Sequence, residues 1–309
     1  MSGRHLIVLG TASQAPTRYR QHNSYALRWD EQLIFFDPGE GTQRQAIFAD
    51  VAIARATAVC ITHFHGDHSL GLAGLIQRRA LDARSASKNL GPLPVVHPAD
   101  GLTYFERLRS STIFHDTSQA YSIGVESNGD VMNLGPTATL SARQLDHRVT
   151  TFGYRIDEPD GRRLVPETLK AKGIVGPDVG RLIAAGRFET PQGTVGLDEV
   201  STIKRGQSMA FVMDTAMCDA ALELADGVDL LVCESTYLET ERELAAKYFH
   251  LTALQAGEIA RDAGARRLVL THFSARYPNN EAFADEARQA HDDVVAATDL
   301  AVIDVPDRL

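Results

Sequence analysis

The most chemically loaded stretch of the 309-residue chain is Thr62-His63-Phe64-His65-Gly66-Asp67-His68-Ser69. It sets four metal-ligand types, His63, His65, Asp67 and His68, within six residues. If the chain is extended up to Gly66, His63 and His65 project to one side, because alternate residues of a strand share a face. A turn at Gly66 then lets Asp67 and His68 swing towards a second point. One cluster with two outlooks implies two cations in one pocket. Imidazole and carboxylate donors suit zinc, with Mn2+ or Fe2+ able to take the same positions. The motif offers no thiolates for a closed structural cysteine site.

Two coordination spheres need more ligands, and those must come from distant strand ends, where loops line the sites of α/β folds. Leu145-Asp146-His147, Val212-Met213-Asp214-Thr215 and Leu270-Thr271-His272-Phe273 each place a ligand type just past an apolar run. They nominate His147, Asp214 and His272. Asp214 is the natural bridge, since one carboxylate oxygen can serve each cation. The positioning elements show as short apolar runs at 6–9, 33–36, 59–61, 95–96, 210–213, 230–232 and 268–270. Helix-like segments follow several of them, among them 251–263 and 281–295. Strands alternating with helices predict an α/β protein with covered sheets.

A hydrophobic fraction of 44% with 23% charged residues is ordinary for a globular protein, and 309 residues suffice for one large domain with a substantial core. No apolar stretch approaches the ~18 residues of a membrane span. The run Leu6-Ile7-Val8-Leu9 is too short for a signal-peptide core, so a cytoplasmic protein is expected. Cys60, Cys218 and Cys233 form no CxxC pair and read as small hydrophobes rather than a disulfide framework.

The net charge of −9 argues against a nucleic-acid partner unless a local basic patch exists. Residues 161–196 are the one stretch whose charge is out of character with the rest. They are rich in glycine and proline, with no sustained strand pattern, as in a surface loop or a functional excursion. From Gly161 to Arg187, Arg162, Arg163, Lys170, Lys172, Arg181 and Arg187 stand against Glu167 and Asp178, a net +4 that leaves −13 on the remainder.

The chain resembles the short form of the tRNase Z (ribonuclease Z) family within the metallo-β-lactamase superfamily. The likeness runs from Gly10-Thr11-Ala12-Ser13 and Phe36-Asp37-Pro38-Gly39-Glu40-Gly41-Thr42-Gln43 through the His63–His68 motif. It continues in Leu145-Asp146-His147 with Phe152-Gly153-Tyr154-Arg155, Asp214-Thr215, Glu234-Ser235-Thr236, His250-Leu251-Thr252 and His272-Phe273-Ser274-Ala275-Arg276-Tyr277. The histidine-rich motif marks only the superfamily; the flanking segments together point to the family. One departure is Cys233-Glu234-Ser235-Thr236, where the family commonly has a histidine before Glu-Ala-Thr.

The resemblance implies an αββα sandwich over residues 1–309, a homodimer, and two zinc ions per subunit. One ion falls to His63, His65, His147 and Asp214, the other to Asp67, His68, His272 and Asp214. It implies an endoribonuclease that removes the 3′ trailer of precursor tRNA and leaves a 3′-hydroxyl. His250, oriented by Glu234, is then the general acid for the departing 3′ oxygen. Asp67 would both ligate metal and either orient the nucleophile or accept its proton. Ser274 and Arg276, just past His272, are placed to hold a substrate phosphate. Residues 161–196 become a tRNA-binding arm, with Lys170-Ala171-Lys172-Gly173-Ile174-Val175-Gly176-Pro177 as its Gly-Pro element and Lys170, Lys172 and Arg181 as phosphate contacts.

A small-molecule hydrolase of the same superfamily, acting on a phosphodiester, sulfate ester, thioester or lactone, would share every ligand but have no use for a basic arm. Longer nucleases carry an extra domain before the last ligands, whereas the 67-residue gap from His147 to Asp214 holds only the arm. A non-hydrolytic protein with a structural or redox metal fits poorly with an open two-metal site that lacks cysteine.

Overall fold

The computed structural model describes residues 3–85 and 90–308. In chain order the strands are β1 (His5–Gly10), β2 (Ser24–Trp29), β3 (Gln32–Phe36), β4 (Ala58–Cys60), β5 (Leu93–Pro98), β6 (Ala120–Val125), β7 (Gly129–Asn133), β8 (Thr139–Gln144) and β9 (Phe152–Asp157). Then come β10 (Gly161–Leu164), β11 (Arg187–Thr190), β12 (Gly193–Gly196), β13 (Ser201–Lys204), β14 (Ser208–Val212), β15 (Leu230–Glu234), β16 (Arg267–Thr271), β17 (Val294–Ala296) and β18 (Val302–Asp304). They fall into two compact units, 1–157 with 208–307, and 158–207 with the final residues.

The larger unit holds two seven-stranded mixed sheets, in the orders β18-β1-β2-β3-β4-β5-β6 and β17-β16-β15-β14-β9-β8-β7. Most of their strands are buried on both faces, so they read as nearly continuous apolar runs rather than alternations. In β1, Leu6 and Val8 point between the sheets, where they join Tyr25, Leu27 and Phe36 of one sheet and Tyr154, Phe211 and Val232 of the other. Ile7 and Leu9 point outward and join Leu75 and Ile76 of helix Leu72–Ser85. The far face of the second sheet is covered likewise by helices Asp219–Ala225, Ala253–Asp262 and Glu281–Ala287. This is the αββα sandwich that the sequence resemblance implies.

Two tyrosines tie the sheets together beneath the ligand loops. Tyr154 of β9 donates to the carbonyl of Ile61, 2.7 Å away, in the loop leading to His63. Tyr25 of β2 shares a 2.7 Å hydrogen bond with Thr271, the residue before His272. Phe36 stacks on Phe211 across the interface, with ring centres 4.6 Å apart. Glycine permits the close packing that seats the short helix Gly66–Ser69. A Cβ on Gly71 would lie 2.0 Å from the Gly39 carbonyl oxygen, and one on Gly39 would lie 2.3 Å from that of Asp67.

The expected helix over 281–295 ends at Ala287, and Val294–Ala296 instead pairs in parallel with β16. The apolar pair Val294-Val295 extends the sheet, while His291, Asp292 and Asp293 form the turn before it. All three cysteines are free, with Cys60 and Cys233 buried. No helix among the described residues is long and apolar enough to cross a membrane.

The smaller unit is more structured than the loop expected over 161–196, and wider. β10 pairs with β13 and β11 with β12, both antiparallel, and the helices Pro166–Ala171 and Pro177–Ala185 lie between them in the chain. Leu169, Ile174, Leu182, Val195 and Val200 form its own small core.

Candidate metal centre

Each sheet brings half of the ligand set to one place. The loop after β4 carries His63, His65, Asp67 and His68; the β8–β9 connection carries His147; the ends of β14 and β16 carry Asp214 and His272. Asp214 and His272 both have positive φ, 29° and 61°. Such backbone in a residue other than glycine costs about 1–3 kcal/mol and is typical of sites where function fixes the geometry.

The donor atoms form two groups that meet at Asp214. Its Oδ2 faces His63 Nε2 at 3.6 Å and His147 Nε2 at 3.8 Å, with His65 Nδ1 2.8 Å from His63 Nε2. Its Oδ1 faces His272 Nε2 at 3.2 Å and His68 Nε2 at 3.3 Å. Asp67 Oδ2 completes the second group, 3.4 Å from both of those histidines. Within the sets His63–His65–His147–Asp214 and Asp67–His68–His272, donor atoms lie within 4.8 Å of one another.

Three of these atoms, His68 Nε2, His147 Nε2 and Asp214 Oδ1, are buried without a hydrogen-bond partner. Leaving such atoms unsatisfied is costly, and a cation would satisfy all three. The opposite ring nitrogens are held from behind, as in the outer shells of metal-ligating histidines. His68 Nδ1 donates to Asp37 at 2.8 Å, His147 Nδ1 to the Phe249 carbonyl at 3.1 Å, and His272 Nδ1 to the Thr236 hydroxyl at 2.9 Å. Carboxylate and carbonyl oxygens only accept, so the Nδ1 proton of His68 and His147 stays outside and the Nε2 lone pair faces inward. The residues present therefore fit a pair of divalent cations.

The electrostatics agree. Burial, then His68, pushes His63 well below its ordinary value, leaving it a neutral donor. Burial opposes ionisation of Asp214, but His272, His68 and His250 outweigh it and hold the carboxyl well below its usual range. Asp67 is held low in the same way by His68 and His272. Burial alone would lower His68, yet Asp214, Asp67 and Asp37 raise it well above the usual histidine range. A cation entering here takes the place of that proton, so binding releases protons.

His250 and Glu234 are brought together as expected. Glu234 is fully buried; its Oε1 accepts from His250 Nδ1 at 2.9 Å and from the Thr215 amide at 2.8 Å, and its Oε2 accepts from the Thr236 hydroxyl at 2.6 Å. Burial works against a charged His250, but Glu234 and Asp214 together push it up to about 9. Ser274 and Arg276 line the same cavity of about 730 Å³, with Gln14, His22, Arg148 and Tyr248. A cavity of about 820 Å³ beside Arg20, Asn280 and Asp299 has no ligand cluster among the described residues.

The arm residues differ from expectation. Lys172 is ion-paired with Glu199 at 2.9 Å and Arg181 with Asp178 at 3.0 Å, so much of their charge is compensated locally. Arg162 likewise pairs with Asp198. Lys170, like Arg163, Arg187 and Lys204 of the same unit, has no ion pair among the described residues, and neither do Glu167 and Glu189.

Sequence reasoning assigned no role to Asp37, Thr236 or His22. Asp37 ends an apolar run as Asp214 does, so the same strand-end logic applies to it. It is fully buried with φ 41°, and accepts from the Thr62 amide and hydroxyl at 2.7 Å each as well as from His68. Thr236 falls within the Glu234-Ser235-Thr236 segment that carries the family likeness, whereas His22 carries no distinguishing sequence signal.

Over residues 17–201 the chain matches the family model described as Metallo-beta-lactamase superfamily. The Ribonuclease Z of Salinispora arenicola is 50% identical, covering 100% of this chain and 98% of that relative. That of Streptomyces coelicolor is 51% identical, with 100% of each covered. Among solved structures, the short form of human tRNase Z superposes with a TM-score of 0.67 at 22% identity, covering 98% of this chain and 100% of that one.

Asp37→Asn keeps an acceptor for Thr62 but confronts His68 Nδ1 with an amide. Loss of such a supporting group typically weakens metal binding by about 10–100-fold. A chelator competition should show this with the circular dichroism unchanged; wild-type affinity would contradict the role given to Asp37.

Proposed function

We propose that this chain, which belongs to the ribonuclease Z family of tRNA 3′-processing endoribonucleases within the metallo-β-lactamase superfamily, removes the 3′ trailer of precursor tRNA at a centre of two zinc ions. The observation that carries the reading is the single carboxylate of Asp214 with one oxygen turned to each of two donor groups. His63, His65, His147 and Asp214 Oδ2 would hold one ion, and Asp67, His68, His272 and Asp214 Oδ1 the other, with Mn2+ or Fe2+ as substitutes. Two such ions supply a water activated near neutral pH and a grip on the phosphoryl oxygen.

The chain's own groups do the rest. His250 enters charged, held so by Glu234, and gives its proton to the departing 3′ oxygen of the tRNA. The product then carries a 3′-hydroxyl. A cation on Asp214 weakens that residue's pull on His250, which leaves Glu234 as the lasting partner. The Thr236 hydroxyl donates to Glu234 and accepts from His272, so proton donor and ligand share one buried network. Asp67 ligates and either orients the attacking water or accepts its proton. Ser274 and Arg276, on the rim beyond His272, hold a phosphate; Arg276 exchanges Glu241 for it.

Residues 161–196 contact the tRNA away from the chemistry, chiefly through Lys170 with Arg163 and Arg187, while Lys172 and Arg181 contribute less than their charge suggests. The resemblance also supports a cytoplasmic homodimer. The relatives' name favours the nuclease over a small-molecule hydrolase.

The direct test is incubation of purified protein with a 3′-extended precursor tRNA and end mapping of both products. His250→Ala should lower turnover by about 10²–10⁴-fold on this substrate, the usual contribution of a general acid, at unchanged metal content. An aryl phosphodiester, whose leaving group needs no proton, should be far less affected; equal losses on both would remove the general-acid role. Replacing residues 170–187 by a short glycine linker should weaken tRNA binding and flatten its salt dependence, while aryl phosphodiester turnover persists. An unchanged salt slope would make the arm a surface feature only.

A further inference from the structure

The metal pocket has two rims, and the mechanism above uses one. The rings of His147, His250 and His272 form a row across the pocket, with successive centres 5.4 and 5.6 Å apart. Ser274 and Arg276 follow the ligand at one end of this row. Arg148 follows the ligand at the other end, and it lines the same cavity as Tyr248.

The two arginines are differently engaged. Arg276 is paired with Glu241, and its guanidinium lies 5.5 Å from the centre of Tyr237, a ring that is almost fully buried. Arg148 is exposed, and its Nη2 donates to the Lys247 carbonyl at 2.6 Å. Its guanidinium lies 5.0 Å from the centre of Tyr248 and 5.9 Å from that of Phe249. Lys247 Nζ lies 5.4 Å from the same Tyr248 ring. Neither Arg148 nor Lys247 has an acidic partner among the described residues, although the chain as a whole is at −9. Tyr248 itself is 37% exposed. Two uncompensated cations thus flank one open aromatic ring, next to a metal ligand.

We propose that Arg148, Tyr248 and Lys247 form a subsite for the single-stranded trailer next to the scissile phosphate. This rests on the reading of the site as a precursor-tRNA nuclease. A trailer base stacks on the Arg148 guanidinium or takes the place of Lys247 over the Tyr248 ring, and the adjoining phosphate meets the free N–H groups of the two cations. A planar platform of this kind needs an unstacked base. The acceptor stem keeps its bases in the duplex, whereas the trailer is a continuous single strand whose bases can be splayed out. Arg148 thereby gives the pocket a grip on one side of the cut while Ser274 and Arg276 hold the other.

The test compares two precursors with the same tRNA body and the same trailer length, one with a normal base and one abasic at the trailer nucleotide next to the cut. The readout is the ratio of kcat/KM, normal over abasic, for each enzyme. Wild-type protein should favour the normal trailer by about tenfold, the effect of one well-stacked base. Arg148→Ala and Tyr248→Ala should each bring the ratio close to one, whereas Tyr248→Phe, which keeps the ring, should retain it. Metal content measured on each variant checks that His147 still ligates. A wild-type ratio near one, or a wild-type ratio in both alanine variants, overturns the subsite and leaves the nuclease intact. Wild-type protein that cleaves neither precursor overturns the functional reading, and the subsite falls with it.

Discussion

The structure is organised around one buried carboxylate. Asp214 sits at the end of β14 in a left-handed backbone conformation, 3% exposed, with one oxygen turned to each of two groups of imidazoles. An isolated ionised carboxylate in such a place would be prohibitive. It is tolerated because Asp214, Asp67, Asp37 and Glu234 together form a buried negative region that positive charge must fill. In the metal-free protein His68 and His250 answer that demand by holding protons, and cations answer it in the loaded state. Asp214, Asp67 and Asp37 thus face the histidines of the candidate cation positions, while Glu234 with Asp214 keeps His250 charged.

The sandwich follows from this requirement. Neither sheet contains a complete site: the first brings the His63–His68 loop and its Asp37 support, the second brings His147, Asp214, Glu234 and His272. Donor distances are therefore set by how the sheets pack, and the tyrosine bridges, Tyr154 to Ile61 and Tyr25 to Thr271, fix that packing one or two residues from the ligands. The Gly39–Gly71 approach fixes the remaining degree of freedom, the depth at which the Asp67–His68 turn sits.

The side chains that the structure gathers around Asp214 were legible in the sequence because their types are dense and sit just past apolar runs, a pattern that strand ends impose. The layered fold was legible for the same reason, since sheets covered on both faces need unbroken apolar strands. Supporting groups were harder. The Phe249 carbonyl that orients His147 is a backbone atom placed by a φ of 59°, and nothing in its side chain announces that. The segment 281–295 misled because Val294 and Val295 fit a helical face as well as a short strand, and only pairing with β16 decides between them. Residues 161–196 read as a loop because strands of four residues and short helices around a small core leave too little periodicity to detect. Net charge misled in part, because Glu199 and Asp198, outside the basic stretch, fold back to pair with Lys172 and Arg162.

The claim on which the account turns is that Asp214 belongs to both metal positions at once. Zinc titration into metal-free protein, with binding at the two positions resolved by calorimetry or chelator competition, tests it on wild type and Asp214→Ala. The account predicts two equivalents for the wild type, and in the variant a loss of affinity at both positions together. A variant that loses one equivalent and binds the other as the wild type does would contradict the shared carboxylate, and with it the dinuclear centre built around it.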